Sequence, residues 1–322
     1  MVTVTEAKFS DIYIMTESKK AYIPDRRTLN ALMEFQADDL DAFYNVLVQG
    51  FDGVNTSYSV NYEGILYRVE KSEGISGTQY CAREMPSQVP SISVLSYPPE
   101  LIKYLMALRR SSGLILCAGP TGSGKTTTIS ALLKEYLTKE GGFAYTIEDP
   151  NEHPLDGIYD AECGGLGICR QTIPIKGKWG DSLKSALRSR PRYILVGEIR
   201  SPDAASEVLR AATSGHLVLS TIHANNITDA INAVVKYASA GDRSEELAYD
   251  LFSRGMLGVL HQNLMGRGIK KPDVTYLFAN PNTTQGDQVR GIIKSGNLNL
   301  STAIETQMTR LAKGINLFPQ SD

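Results

Sequence analysis

GPTGSGKTTT, residues 119–128, meets the pattern G-x-x-x-x-G-K-[ST] through Gly119, Gly124, Lys125 and Thr126. The apolar run LILCAG leads into it and a stretch of helical periodicity leaves it, the strand–loop–helix setting in which this pattern cradles phosphate. Glycines let backbone N–H groups curl around phosphate oxygens, and the helix N-terminus adds positive potential. Lys125 is expected to bridge the β- and γ-phosphates of ATP, and the Thr126 hydroxyl to ligate Mg2+. Gly119, Pro120, Thr121, Gly122, Ser123, Gly124, Lys125, Thr126 and Thr127 are therefore the nucleotide-binding candidates.

Outward from this loop, short apolar strands alternate with amphipathic helices, the mark of parallel β-α units and an α/β fold. The helix after the loop is expected from Lys125 to about Lys139, stopped by Gly141 and Gly142. FAYTIED, YILVGE and HLVLSTIH read as strands. A helix around DSLKSALRSR has Asp181 as its candidate N-cap; SPDAASEVLRAATSG is a second, with Ser201 at the cap, Pro202 at the first position and Gly215 at the exit. Another passes through ITDAINAVVKYA. Beyond about Gly241 the segments read as mainly helical, except for VTYLFAN.

The first hundred residues are of another kind. SDIYIMT and NTSYSVNYEGILYRVEK are β-type runs, interrupted by LNALMEFQADDLDAFYNVLVQG, whose apolar spacing predicts one helix. This is a small α+β domain, assigned to residues 1–84. EMPSQVPSISVLSYPPE then places four prolines in seventeen residues, and residues 85–100 are read as a linker. Residues 101–322 form the third division.

Hydrolysis needs more than a phosphate loop: a group that orients or deprotonates water, and a carboxylate near the metal. TIEDPNEHP offers Glu148, Asp149 and Glu152 just after a strand, at the end where ligands lie in parallel sheets. ILVGEIR ends a second strand with Glu198, while Gly197 stands where an aspartate is usual. His216 and His223 lie at opposite ends of one strand, since seven residues at about 3.3 Å each separate them by more than 20 Å. They are not a metal pair, and His223, at the C-terminal end, is the one placed to sense phosphate.

Composition narrows the class of protein. With 322 residues, 42% hydrophobic and 21% charged, the chain is an ordinary globular one of about two domains. A net charge of −2 gives no bulk basic field, so no direct nucleic-acid partner is expected. No secretory signal or bilayer-length apolar run is evident, which implies a cytoplasmic protein able to dock on a membrane complex. Cys81, Cys117, Cys163 and Cys169 include no C-x-x-C pair; reduced thiols are the ordinary interpretation, and a metal or disulfide through Cys163 and Cys169 the alternative.

GPTGSGKTTT, TIEDPNEHP, ILVGEIR and SGHLVLSTIHAN, in that order, resemble the Walker A, Asp, Walker B and His boxes of the secretion and pilus motor ATPases, which serve type II secretion, type IV pili and type IV secretion. SDIYIMT, LYRVEK and AREMPS resemble pieces of that family's PAS-like N-terminal domain, and VRGIIKSGNLN its C-terminal region. The resemblance implies a RecA-like P-loop core behind a PAS-like α+β domain, in a homo-hexamer with ATP between the two domains and arginines completing the site. It implies Glu152 as catalytic base, Glu198 as the Walker B glutamate near Mg2+ and His223 as the second His-box histidine. Gly197 is normal for the family. Arg68 and Arg83 are the candidates for N-terminal arginines that reach phosphate, while Arg170, Arg188, Arg190 and Arg200 surround the boxes.

Arg192 and the stretch IRSPDA depart from the common pattern without touching the chemistry. The long N-terminal extension and four-cysteine zinc module of assembly motors are missing from this sequence. The build is thus closer to pilus-retraction motors and to compact ATPases of conjugation-like type IVB secretion systems, acting peripherally at the inner membrane on a platform protein. Hydrolysis is then expected to change the angle between the two domains. Two rivals are an ATP-binding ring scaffold with little hydrolysis and a DNA-translocating P-loop NTPase; the pair Glu152 and Glu198 speaks against the first, and the near-neutral charge against the second.

Overall fold

Apolar alternation in the first ninety residues builds one antiparallel sheet. Its strands are β1 (Asp11–Met15), β2 (Lys20–Pro24), β3 (Leu32–Phe35), β4 (Ser57–Tyr62), β5 (Ile65–Gly74) and β6 (Gly77–Glu84), in the order β3-β2-β1-β6-β5-β4. One helix, α1 (Leu40–Gln49), supplies Phe43 and Leu47 to the buried face. Phe43 meets Tyr62 and Tyr67 edge-on, at ring separations of 5.1 and 4.9 Å, and each fully buried side chain of this size contributes about 1.5–3 kcal/mol. These residues come from a computed structural model that describes residues 2–7, 9–25, 31–174, 178–240, 244–266, 271–283 and 286–318.

The single helix expected across residues 29–50 is shorter. Leu32–Phe35 is a strand instead, paired with β2 from Ala21↔Phe35 to Pro24↔Leu32. Ladder hydrogen bonds with a neighbouring strand outweigh helical spacing in so short a run. The helix begins only after Asp39, whose carboxylate accepts from the Val4 N–H and the Tyr62 hydroxyl, both at 2.8 Å.

The chain divides into two units: Met1–Gln88 with Asp149–Pro154, and Val89–Glu148 with Leu155–Asp322. The division falls inside the proline-rich stretch. Val89, Ile92 and Tyr97 are buried in the core of the second unit, so the later part of that stretch is packed there.

In the second unit, α2 (Pro99–Ala107) leads to β7 (Gly113–Ala118), α3 (Lys125–Glu140), β8 (Gly142–Ile147), β9 (Gly157–Asp160), β10 (Leu166–Thr172), α4 (Trp179–Arg188), β11 (Tyr193–Val196), α5 (Pro202–Thr213), β12 (Leu217–Ile222) and α6 (Ile227–Ser239). Then follow α7 (Glu245–Gly255), β13 (Met256–Met265), β14 (Lys271–Phe278), α8 (Gln288–Lys294) and α9 (Ser301–Ala312). The sheet order is β14-β13-β7-β12-β11-β8-β10-β9. The strands from β13 to β10 are parallel, and an antiparallel strand closes each edge. This is the α/β core expected from the alternation.

Side chains of β7 point alternately to two cores, as a strand with a period of two requires. Leu114, Leu116 and Ala118 face the layer of α4, α5, α6 and α7, while Ile115 and Cys117 face α2 and α3. Ser201 caps α5 by accepting from the Ala204 N–H, with Pro202 at the first helical position. Asp181 is not the cap of α4: it lies inside the first turn of a helix that starts at Trp179. Asp203 of the next helix reaches back to accept from the Gly180 N–H at 2.9 Å. The expectation of mainly helical structure after residue 241 also needs correction, because Met256–Met265 is a ten-residue strand beside β7.

Candidate active site

β7 is buried along its whole length and ends at Ala118, where the phosphate loop begins. Gly119, Gly122 and Gly124 have φ of 148°, 74° and 81°, conformations that a side chain resists. A Cβ on Gly119 would overlap the carbonyl oxygen of Gln262. Lys125, 7% exposed, folds back to donate from Nζ to the carbonyl oxygens of Gly119 and Pro120, at 2.9 and 2.8 Å. The Ser123 hydroxyl is buried in the same loop and has no hydrogen-bond partner among the described residues. A phosphate oxygen would satisfy it, which fits the loop to its expected ligand.

Beside β7, the parallel strands β12, β11 and β8 follow in register, with Ala118 opposite Ile222, Ser220 opposite Val196 and Val196 opposite Ile147. Their C-terminal ends therefore deliver His223, Glu198 and Glu148 to one end of the sheet. Glu198 carries two partners: its Oε2 accepts from Arg200 Nε at 2.6 Å, and its Oε1 lies 3.1 Å from His223 Nε2. Glu148, 1% exposed, accepts from Gln171 Nε2 at 2.9 Å. A Cβ at residue 197 would stand 3.2 Å from Glu148 Cγ, so a glycine at that position gives the buried carboxylate room. His216 sits at the opposite end of its strand, with Nδ1 2.7 Å from the Pro191 carbonyl oxygen.

Alongside the start of α3 lies a cavity of about 270 Å³. Val94, Leu95, Tyr97, Leu264 and Pro272 give it apolar walls, and Gly124, Thr127 and Thr128 border it. Among the described residues no group of three His, Cys, Asp or Glu side chains is arranged to hold a metal ion. Magnesium seldom needs one, since it takes phosphate oxygens, waters and one or two protein oxygens. Thr126 and Glu198 are oxygen donors of the fitting kind.

In the first unit, Arg68 and Arg83 stand directly opposite each other on β5 and β6, with Asp11 opposite Arg83 on β1. Partners in register share a face. Arg83 Nε donates to Asp11 at 2.7 Å, and an Arg68 nitrogen lies 3.9 Å from Glu152. Glu152 is half exposed, whereas its neighbour His153 is buried, and that burial lowers the histidine's affinity for a proton despite Glu152 beside it. Arg170 lies 3.8 Å from Asp156. Arg188 and Arg190 are exposed.

Residues 67–284 match the protein family described as "Type II/IV secretion system protein". The chain belongs to this family. A twitching motility protein of Neisseria gonorrhoeae is 29% identical over 259 residues, 79% of this chain and 64% of that protein. The type IV pilus assembly ATPase PilB of Thermus thermophilus is 33% identical over 187 residues, 56% of this chain and 19% of its own length. The chain thus spans less than two thirds of these relatives. In fold it is similar to the pilus retraction motor PilT solved with bound ADP (TM-score 0.71, 24% identity, 98% of this chain and 94% of that one). The Legionella pneumophila ATPase DotB is a second structural neighbour (TM-score 0.69, 19% identity, 95% and 88% covered).

Sequence reasoning missed the strand that carries Gln262, and with it the side chain that touches the phosphate loop from behind. The available sign was the polar run His261-Gln262-Asn263 closing the apolar run MLGVL.

Proposed function

We propose that this chain binds and hydrolyses Mg-ATP as one subunit of a hexameric ring motor, driving a type IV pilus or a type IV secretion machine at the inner membrane. The observation that carries this reading is the meeting of the phosphate loop, His223, Glu198 and Glu148 at the ends of four adjacent parallel strands. A sheet end so furnished has a cradle for phosphates, acidic groups for water and metal, and a histidine held by one of those acids. A scaffold that only bound nucleotide would need the cradle alone.

The loop amides and Lys125 bind the phosphates, with Lys125 exchanging two carbonyl partners for phosphate oxygens. The adenine enters the apolar cavity beside Tyr97 and Leu264, where a flat, weakly polar ring is better placed than in water. Magnesium, held by Thr126 and Glu198 with the nucleotide, would neutralise charge on the phosphates. Glu152 takes the proton of the attacking water, and His223, oriented by Glu198, senses the γ-phosphate. Arg68 and Arg83, set side by side on neighbouring strands, are suited to an anion. The relatives named for pili and secretion support the wider role, with the platform protein and the ring as its partners.

The Glu152→Gln variant tests the chemistry. It keeps shape and loses the base, so Mg-ATP affinity should remain within about threefold while phosphate release falls about 10²- to 10⁴-fold. Loss of its exposed contact with Arg68 would change stability by less than about 1 kcal/mol. Turnover equal to wild type would remove Glu152 from the role of base.

A further inference from the structure

Gln262 is 1% exposed and lies just beyond His261, which is paired with Ala118 at the end of β7. Its strand therefore runs along the phosphate loop on the side away from β12. Two contacts follow. The Gln262 backbone oxygen closes on Gly119, leaving no space for a Cβ there. Its side-chain Nε2 donates to the Ser123 carbonyl oxygen at 2.6 Å. One residue thus holds both the first glycine of the loop and the last peptide before the helix.

The second contact has a directional consequence. In a trans peptide the C=O and the following N–H point opposite ways. With the Ser123 carbonyl pinned against Gln262, the Gly124 N–H is turned to the other side, away from Gln262, which the phosphate-loop reading makes the side of the anion. The nest of amides needs that orientation to receive an anion.

The amide is itself fixed from behind. Gln262 Oε1 is approached by the Tyr97 hydroxyl at 2.5 Å, the Thr128 hydroxyl at 3.0 Å and the Cys117 thiol at 3.1 Å. Burial pushes the Cys117 thiol up to about 12, so it keeps the proton it donates. Tyr97 and Thr128 also bond to each other, at 2.6 Å. Each hydroxyl has one proton, so the two share the approach to Oε1, and it is the Ser123 carbonyl, which can only accept, that assigns the NH2 to Ser123 and the oxygen to the other side. Reversing the amide would set its oxygen against the Ser123 carbonyl oxygen and leave that carbonyl without its donor.

We propose that Gln262 is a positioning residue for the phosphate loop, presenting the Gly124 N–H to the nucleotide, and that Tyr97 sets its orientation. This rests on the phosphate-loop reading above. It adds a tie between the loop and the segment of residues 89–98, through Tyr97, Gln262 and Ser123.

The test is Mg-ADP and Mg-ATP affinity of the full chain, measured by calorimetry from about pH 6 to pH 8.5 and always as a ratio to wild type at the same pH. Thermal unfolding of each sample is recorded alongside. Gln262→Leu, which has no donor, should bind about tenfold more weakly at every pH. Gln262→Glu is the discriminating variant. An ionised carboxylate cannot donate to Ser123, while a protonated one can, and burial favours the protonated form. Its deficit should therefore be largest near pH 8.5 and shrink toward wild type as the pH falls. Tyr97→Phe, which removes one hydroxyl and keeps the ring, should bind about three- to fivefold more weakly, and it serves if the Gln262 variants do not fold.

Variants that unfold at lower temperature yet bind with wild-type affinity at every pH would overturn the positioning role and leave the phosphate loop intact as a site. A wild-type chain that bound neither nucleotide would overturn the phosphate-loop reading, and this inference with it.

Discussion

Gly119 is the residue at which fold and proposed chemistry press hardest on each other. Its φ of 148° disfavours a side chain, and the atom that a Cβ would strike is a strand's backbone oxygen, which cannot swing aside. Gly119→Ala should therefore destabilise the chain by about 1–3 kcal/mol and weaken nucleotide binding beyond that, read by urea unfolding and by Mg-ADP titration. An alanine variant with wild-type stability and affinity would show that the strand does not confine the loop. The loop itself was legible in the sequence because its constraints are local: each glycine answers to a backbone angle, and Lys125 and Thr126 follow at fixed spacing. Gln262 was not legible. It lies far along the chain, and what makes it matter is a strand pairing that no local pattern announces. Gly197 stands where an aspartate is usual, and the physical reason, Glu148 crowding it from the next strand, shows only in the fold.

Among the elements, α4 and α5 show how helix ends are shared. Gly180, in the first turn of α4, has its N–H satisfied by Asp203, which also accepts from the Ser201 hydroxyl. Burial pushes the Asp203 carboxyl up, but Ser201, Gly180 and Ala204 outweigh it and hold the carboxyl below its ordinary value of 3.8. A depressed folded value means that the native state holds its proton less tightly than the unfolded chain. The stabilisation is therefore present above about pH 4 and is lost as the pH falls through the folded value. Asp203→Ala should cost about 1 kcal/mol at neutral pH, and the gap to wild type should narrow in acid. A gap that stayed constant down to about pH 2.5 would deny the carboxylate this role. Helices with clear boundary signals were readable from sequence: α3 leaves the phosphate loop and stops at Gly141, and α5 has its Ser201 cap. The strands β3 and β13 were not, for opposite reasons: Leu32–Phe35 is too short to outvote the helical spacing around it, and Met256–Met265 is buried on both faces, where apolar runs lose their period.

At the scale of the whole molecule, the α/β core and the small α+β unit were both legible, because the change of pattern near residue 100 is sharp. The division itself was harder to place, since Val89, Ile92 and Tyr97 are apolar residues scattered among prolines and serines and give no periodic signal of the core they join. No helix among the described residues is long and apolar enough to cross a membrane. If a neighbouring chain of the proposed ring completes each site, turnover becomes a matter of assembly. Phosphate release from Mg-ATP should be measured as protein concentration is raised through the micromolar range, with molecular mass determined by light scattering on the same samples. The ring motor predicts a rate per chain that climbs as the mass rises from one chain toward six. Full turnover by a species of single-chain mass, or none at any mass, would contradict it.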